Sequence, residues 1–339
     1  MQKFATVRKE VMPGTSAKRI FDLIRGEMSA VEVEFERQVN SNIQVVKYLG
    51  DYLRASGGKR LRPALLILTN YAVSDGLSQD NVIRLATVME MLHTATLVHD
   101  DIIDNADVRR NRPSINARYG NQSAVLMGDW LYMSAFETAL QERSLEILDI
   151  LTRLTREMTE GELIQMTMIG RQDISESEYF DILRRKTAYL FSACCEIGAI
   201  LAGADDEVRE AMRNYGLDLG IAFQLADDLL DLTADDESLG KAAGADLLEG
   251  KLTLPLIYLL NKDNSLVSEF ERIMLTGNYD DFSRAALIDR LFSYGIVEEI
   301  RARALAHTQA AKKSLDVLSK NKYRLALEEI PQFVIQRSN

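Results

Sequence analysis

An all-α fold is what this sequence predicts, and three observations predict it. Apolar residues recur at three- and four-residue steps through most of the 339 residues, the period of a helix with one buried face. Only 5 prolines occur. Four of them sit at segment ends or turns, and only Pro331 falls inside a periodic run, where a proline removes a hydrogen bond and clashes with the preceding turn. No apolar–polar alternation survives beyond a few residues, so no half-buried strand is predicted.

In chain order, the periodic segments run near 16–39, 41–55, 61–74, 79–104, 121–140, 144–169, 176–203 and 206–232. Later ones run near 254–261, 280–294, 297–318 and 322–337. The breaks carry turn chemistry: Ser56-Gly57-Gly58, Asn111-Arg112-Pro113-Ser114, Gly170, Gly203, Gly240 and Gly244. Connections this short favour one helical domain over residues 1–339 rather than two. No short-period repeat and no low-complexity tract is visible.

Apolar residues make up 47% and charged residues 27%, the balance of an ordinary globular protein. The net charge of −11 argues against nucleic acid as a main partner and against an anionic membrane surface. No apolar run reaches the length of about 18 residues that a transmembrane helix needs, so no span is expected. The first residues carry charges from Lys3 through Arg19, so no secretory signal is expected either. The 2 cysteines, Cys194 and Cys195, are adjacent in a helical run. Helix neighbours point about 100° apart, which suits small core residues rather than a disulfide or a shared metal. That usage fits a reducing compartment, and a cytoplasmic protein is expected.

Two acid clusters echo each other. Asp100-Asp101-Ile102-Ile103-Asp104 recurs as Asp227-Asp228-Leu229-Leu230-Asp231, each closing a long apolar helix. Residues four apart share a helix face, so Asp100 neighbours Asp104 and Asp227 neighbours Asp231. In a partly buried cleft, at an effective dielectric near 20, such a pair repels by roughly 3 kcal/mol. A divalent cation reverses the sign, and magnesium prefers carboxylate, water and phosphate oxygens. One such cluster alone also reads as a solvated helix end; two, each capping an apolar helix, point to metal-bridged polyphosphate.

Basic groups alternate with the acids. Gly57-Gly58-Lys59-Arg60-Leu61-Arg62-Pro63 sets three cations after a glycine pair, where backbone and guanidinium forks can approach an anion. Arg109 and Arg110 follow the first acid cluster, with Arg112 just beyond; Arg184, Arg185, Lys186 and Thr187 lie within a helical run; Lys241 and Lys251 flank Gly244-Ala245-Asp246. Each group alone also reads as a solvated face. Together with the acids they suggest one metal-bound polyphosphate and a second, metal-free anion.

Of the histidines, His93 and His99 lie just before the first aspartates, and His307 reads as a surface residue. Zinc would want further His or Cys ligands at defined spacing, and none appear. His93 is either a donor to a phosphate or a satisfied core histidine. No Ser-His-Asp, Cys-His or nucleotide-loop signature is present.

These residues, over nearly the whole chain, resemble the trans-isoprenyl diphosphate synthases, and within them the bacterial long-chain, octaprenyl-type polyprenyl diphosphate synthases. The resemblance is carried by GGKRLRP, HTATLVHDDIIDNADVRRNRPS, GELIQ (161–165), RRKTA (184–188) and GIAFQLADDLLDLTADDESLGKAAGADLLEGKLTLP. It implies a helical bundle of the isoprenoid synthase type around a central cavity, a homodimer, and a product used for quinone side chains. It implies three magnesium ions held by Asp100, Asp104, Asp227 and Asp231, with Asp101 and Asp228 in support. Arg109, Lys186, Thr187, Gln224 and Lys241 would contact the allylic diphosphate. Lys59, Arg62, His93 and Arg110 would hold isopentenyl diphosphate. Three departures from the family pattern, Asn111, Leu252 and Ala242-Ala243, touch loop conformation and remove no charged ligand.

Product length is argued from the helix before the first cluster. Ala95 and Thr96, one turn deeper than Asp100, are small, where short-chain relatives tend to carry aromatic residues. Leu92, Met91 and Val88 follow below them. Phe136 or Trp130 on the next helix reads either as the floor of a tunnel or as an ordinary core aromatic. The reading is therefore an octaprenyl-length synthase. A farnesyl or geranylgeranyl synthase is the alternative within the family, a terpene cyclase shares the fold class, and a non-catalytic partner subunit is a further reading.

Overall fold

The computed structural model describes residues 14–55, 58–77, 80–109, 112–233, 244–279 and 283–335. The expectations for Arg110 and Lys241, and the departures at Asn111 and Ala242-Ala243, lie outside the described residues. The fold is all-α, as the periodicity predicts. In order come α1 (Gly14–Leu23), α2 (Arg25–Val39), α3 (Gln44–Ala55), α4 (Leu61–Ser74) and α5 (Asp80–Ile103). A two-residue ladder follows, β1 (Val108–Arg109) and β2 (Arg112–Pro113), antiparallel with Val108 opposite Pro113. Then come α6 (Ile115–Tyr119), α7 (Asn121–Leu140), α8 (Leu145–Met168) and α9 (Glu176–Leu183). A π-helical segment, Arg184–Ala188, joins α9 to α10 (Tyr189–Leu201). The chain continues as α11 (Asp206–Thr233), α12 (Ala245–Leu248), α13 (Leu254–Lys262), α14 (Val267–Thr276), α15 (Arg284–Ser293), α16 (Ile296–Ser314) and α17 (Lys322–Ile335).

The core follows from which helices are apolar all round. Every residue from Pro63 to Ala72 of α4 is buried, and so is every residue from Leu190 to Cys195 of α10. A helix buried on all faces belongs at the centre, and α4 and α10 pack on each other there. Gly198 permits their approach: a Cβ at that position would lie 2.5 Å from the Leu66 carbonyl oxygen. Pro63 is tolerated because it falls in the first turn of α4, where its missing N–H would have no intrahelical acceptor. Cys194 and Cys195 are free and fully buried, as small core residues. Around this centre α5 packs on α4, α7 and α2, while α11 packs on α10 and α16. The C-terminal ends of α5 and α11 carry the two acid clusters.

Several boundaries differ from the sequence reading. The segment 16–39 is two helices, broken at the buried Ile24, whose backbone leaves the helical region at φ −126°, ψ 26°. The helix α14 was not anticipated, although Val267, Phe270, Ile273 and Met274 carry the helical spacing and Phe270 and Ile273 are buried. The short α6 follows the break at 111–114 and lies outside the periodic segments; the Ser114 side chain caps it by accepting from the Ala117 N–H. The β1–β2 ladder escapes pattern reading because two residues are too few to alternate. Among the described residues, no helix is long and apolar enough to cross a membrane.

Candidate active site

A cavity of about 1430 Å³ opens where α5 and α11 end. α5 contributes Glu90, His93, Thr96, Leu97 and Asp100 to its wall. These positions recur at three- and four-residue steps, so one stripe of α5 runs from glutamate through histidine to the first aspartate. α11 contributes Phe223, Gln224, Asp227, Asp228 and Asp231. The entry to α4 supplies Lys59, Arg60 and Arg62, the π segment supplies Lys186 and Thr187, and Arg109 and Lys251 complete the charged wall. The two acid clusters and members of all four basic groups of the sequence reading thus border one space.

Asp101, Asp228 and Asp231 are buried; Asp231 Oδ2 accepts from the Asp246 N–H at 3.3 Å, and the other two are held by side-chain donors. Arg109 donates to Asp101 Oδ1, through Nε at 2.7 Å. Tyr179 donates its hydroxyl to Asp228 Oδ2 at 2.5 Å, and Gln224 Nε2 donates to Asp228 Oδ1 at 2.8 Å. Thr187 in turn donates to Gln224 Oε1 at 2.9 Å. A continuous relay, Tyr179–Asp228–Gln224–Thr187, therefore fixes the amide orientation of Gln224. Asp100, Asp227 and Asp231 face the cavity, and Asp104 stands one turn above Asp100, its N–H bonded to the Asp100 carbonyl at 2.8 Å. Lys251 Nζ meets Asp104 Oδ1 at 2.8 Å and Glu249 Oε2 at 2.8 Å.

Burial raises the cost of these charges. Desolvation, with Glu162 and Asp104 nearby, pushes the Asp100 carboxyl up to about 7, despite Lys186 and Arg109. Desolvation with Asp246 and Asp227 pushes Asp228 up to about 8, against the hydrogen bonds from Tyr179 and Gln224. A divalent cation would offset that cost. Among the described residues no three His, Cys, Asp or Glu side chains gather closely enough to hold one ion. Each ion would thus find one or two carboxylates and open positions. Magnesium favours that arrangement when phosphate oxygens complete its shell, so the donor set fits it.

The π segment explains how Lys186 and Thr187 reach the cavity together. Such a bulge adds a residue to a helix turn and often marks a functional site. Lys186 Nζ pairs with Glu162 at 2.5 Å and also donates to Gln165 of the GELIQ segment. Gly161 lets α8 come this close: a Cβ there would lie 2.7 Å from the Arg185 Cβ. At the opposite wall, Arg62 Nη1 lies 3.0 Å from His93 Nε2. A guanidinium can only donate, so His93 Nε2 accepts. The Arg62 guanidinium also covers the Phe191 ring at 4.9 Å.

Other expectations are redistributed. Thr96 borders the cavity, whereas Ala95 is fully buried in the core and is not part of the wall. Phe136 and Trp130 pack against the core without reaching it. His99 is turned onto α7, against Gly128 and 5.8 Å from the Tyr132 ring. His307 is not a simple surface residue: it is part-buried, with Nδ1 2.8 Å from Asp218 Oδ1. The sequence reading missed Tyr179, because a tyrosine on an apolar helix face looks like core, and it left Lys251 without a role.

The sequence profile of the polyprenyl synthetase family matches residues 43–288. The chain belongs to that family. Octaprenyl diphosphate synthase of Escherichia coli (strain K12) is 35% identical over 320 residues, covering 94% of this chain and 98% of the relative. Geranylgeranyl diphosphate synthase of Methanosarcina mazei is 38% identical over 291 residues, covering 84% and 88%. A crystal structure of polyprenyl synthase from Caulobacter crescentus CB15, complexed with calcium and isoprenyl diphosphate, superposes with a TM-score of 0.90 at 34% identity. It covers 97% of this chain and 100% of its own. The family member described here is a prenyltransferase, a trans-prenyl diphosphate synthase. Relatives of similar identity make products of different length, so family membership leaves the length open.

Proposed function

We propose that this family member is a long-chain, all-trans polyprenyl diphosphate synthase of octaprenyl length. In this reading it is a cytoplasmic homodimer, and its product serves quinone side chains. The observation that supports the chemistry is the meeting of two acid-tipped helices and members of four basic groups around one cavity with an apolar inner wall. Asp100, Asp104, Asp227 and Asp231 would hold magnesium, with Asp101 and Asp228 orienting their neighbours. Bound there, magnesium would supply positive charge to the diphosphate leaving group.

The chain's own residues do the rest. Arg109, Lys186, Thr187, Gln224 and, outside the described residues, Lys241 bind and orient the allylic diphosphate. Charge develops on that diphosphate as the allylic carbon–oxygen bond breaks, and fixed cations stabilise it without reorganising. Lys59, Arg62, His93 and Arg110 hold isopentenyl diphosphate so that its double bond faces the allylic carbon. Leu97, Met158, Leu183 and Phe223 exclude water, which would otherwise trap the cation. The new carbon–carbon bond forms and a proton leaves, taken up by the released diphosphate. The chain is then five carbons longer.

The long-chain reading rests on Thr96, small and on the cavity wall. Ala95, packed behind it, and Phe136 remain secondary candidates for length control. The dimer reading is supported by α7, where Leu126, Met133 and Leu140 are exposed at seven-residue steps along one face. Product analysis with farnesyl diphosphate, labelled isopentenyl diphosphate and magnesium, with an EDTA control, is the test. The expected result is a metal-dependent ladder ending near eight units. Products stopping at three or four units would replace the long-chain reading with the short-chain one.

A further inference from the structure

Arg60 sits between the two cations of its motif that are assigned to an anion, yet its own charge is already committed. Its Nε donates to Glu32 Oε1 at 2.6 Å, Nη1 to Glu90 Oε1 at 2.5 Å and Nη2 to Glu32 Oε2 at 3.3 Å. The side chain is 11% exposed, against 4% for Glu90 and 42% for Glu32. The guanidinium also lies over the Phe35 ring, 5.4 Å from its centre. One cation between two carboxylates leaves a net negative trio, which does not attract a diphosphate.

The backbone at Arg60 is equally specific. It is the residue before the first turn of α4, with φ 49° and ψ 36°, the left-handed region that L side chains rarely adopt. Lys59 precedes it and Arg62 follows two residues on. On α5, Glu90 and His93 stand one turn apart; Glu90 takes Arg60 and His93 takes Arg62. α5 therefore holds the entry of α4 at two points, and α2 holds it at a third through Glu32.

We propose that Arg60, clamped between Glu32 and Glu90, is a positioning residue for the metal-free diphosphate site, setting where Lys59 and Arg62 meet isopentenyl diphosphate without itself touching either substrate. This rests on the reading of Lys59 and Arg62 as that site. The role calls for arginine because a planar fork serves two carboxylates at once, whereas an ammonium is a point charge. Arg60→Lys keeps the charge opposite the buried Glu90 but loses the fork. Glu32→Gln loosens the clamp at its exposed side, where folding is not at stake.

Steady-state kinetics with each substrate varied separately tests the proposal, with Arg62→Gln as the reference. Arg60→Lys is expected to raise the KM for isopentenyl diphosphate about tenfold, the lower end of what losing a residue that orients a binding group costs. The KM for the allylic diphosphate and the thermal midpoint should stay close to those of the parent. Glu32→Gln should move the same KM in the same direction by less. Equal rises in both KM values would mark a merely structural residue and overturn the proposal. So would an unchanged isopentenyl KM in Arg60→Lys and Glu32→Gln while Arg62→Gln raises it. If Arg62→Gln leaves that KM unchanged, the substrate reading of the site fails and the proposal falls with it.

Discussion

At the residue scale, the proposed reading divides the two aspartate clusters between charge and support. A buried carboxylate that already accepts two hydrogen bonds has little left for an ion, and Asp228 is in that position between Tyr179 and Gln224. Its worth lies in holding Gln224, and through it Thr187, in one orientation. Tyr179→Phe removes one donor and leaves the ring, so packing is preserved. The KM for the allylic diphosphate should rise about tenfold, as for other residues that orient a binding group, with the KM for isopentenyl diphosphate unchanged. Steady-state kinetics checks this. An unchanged allylic KM would show that Gln224 keeps its place without the relay.

At the element scale, the π segment is held on both sides by glycines. Gly161 of α8 admits Arg185 and Lys186, and Gly220 of α11 admits Ala188, whose Cα would lie 2.6 Å from an added Cβ. At Gly216, one turn earlier, an added Cβ would lie 2.5 Å from the Phe191 carbonyl oxygen. These neighbours are backbone atoms, so a side chain at Gly220 must displace a whole helix. Gly220→Ala should cost about 1–3 kcal/mol, the range of an overpacked core, measured by urea unfolding. Gly26, exposed in α2 with nothing within 4 Å of its added Cβ, is the control. There Gly26→Ala should stabilise by about 0.5–1 kcal/mol, the helix preference of alanine. Equal effects at the two positions would show that the seam is looser than its distances indicate.

At the scale of the whole molecule, the dimer reading rests on the outer face of α7. Leu126 is 69% exposed and Met133 63%, on a helix whose other face packs on α5. Sedimentation of the purified protein should give a dimer, and Leu126→Glu with Met133→Glu should give a monomer. A dimer that survives both changes would move the interface elsewhere. The apolar stripe was present in the sequence but could not be told from a core-facing stripe, because periodicity reports that a face is apolar and not what covers it.

The sequence by itself determined the fold class, most helix positions and the family, and it singled out the charged residues that line the cavity. These are legible because they depend on local period or on residue types whose chemistry is specific. Aspartates four apart share a helix face in any fold. Only the tertiary structure tied Asp101 to Arg109 and Asp228 to Tyr179, because those partners come from elements other than the helices that carry the clusters. It likewise turned His99 onto α7 and His307 onto Asp218. It separated Thr96 from its neighbour Ala95, since adjacent helix residues point about 100° apart and only one of the two can border the cavity. It also committed Arg60 to Glu32 and Glu90, because a cation's role is set by the carboxylates that folding brings to it.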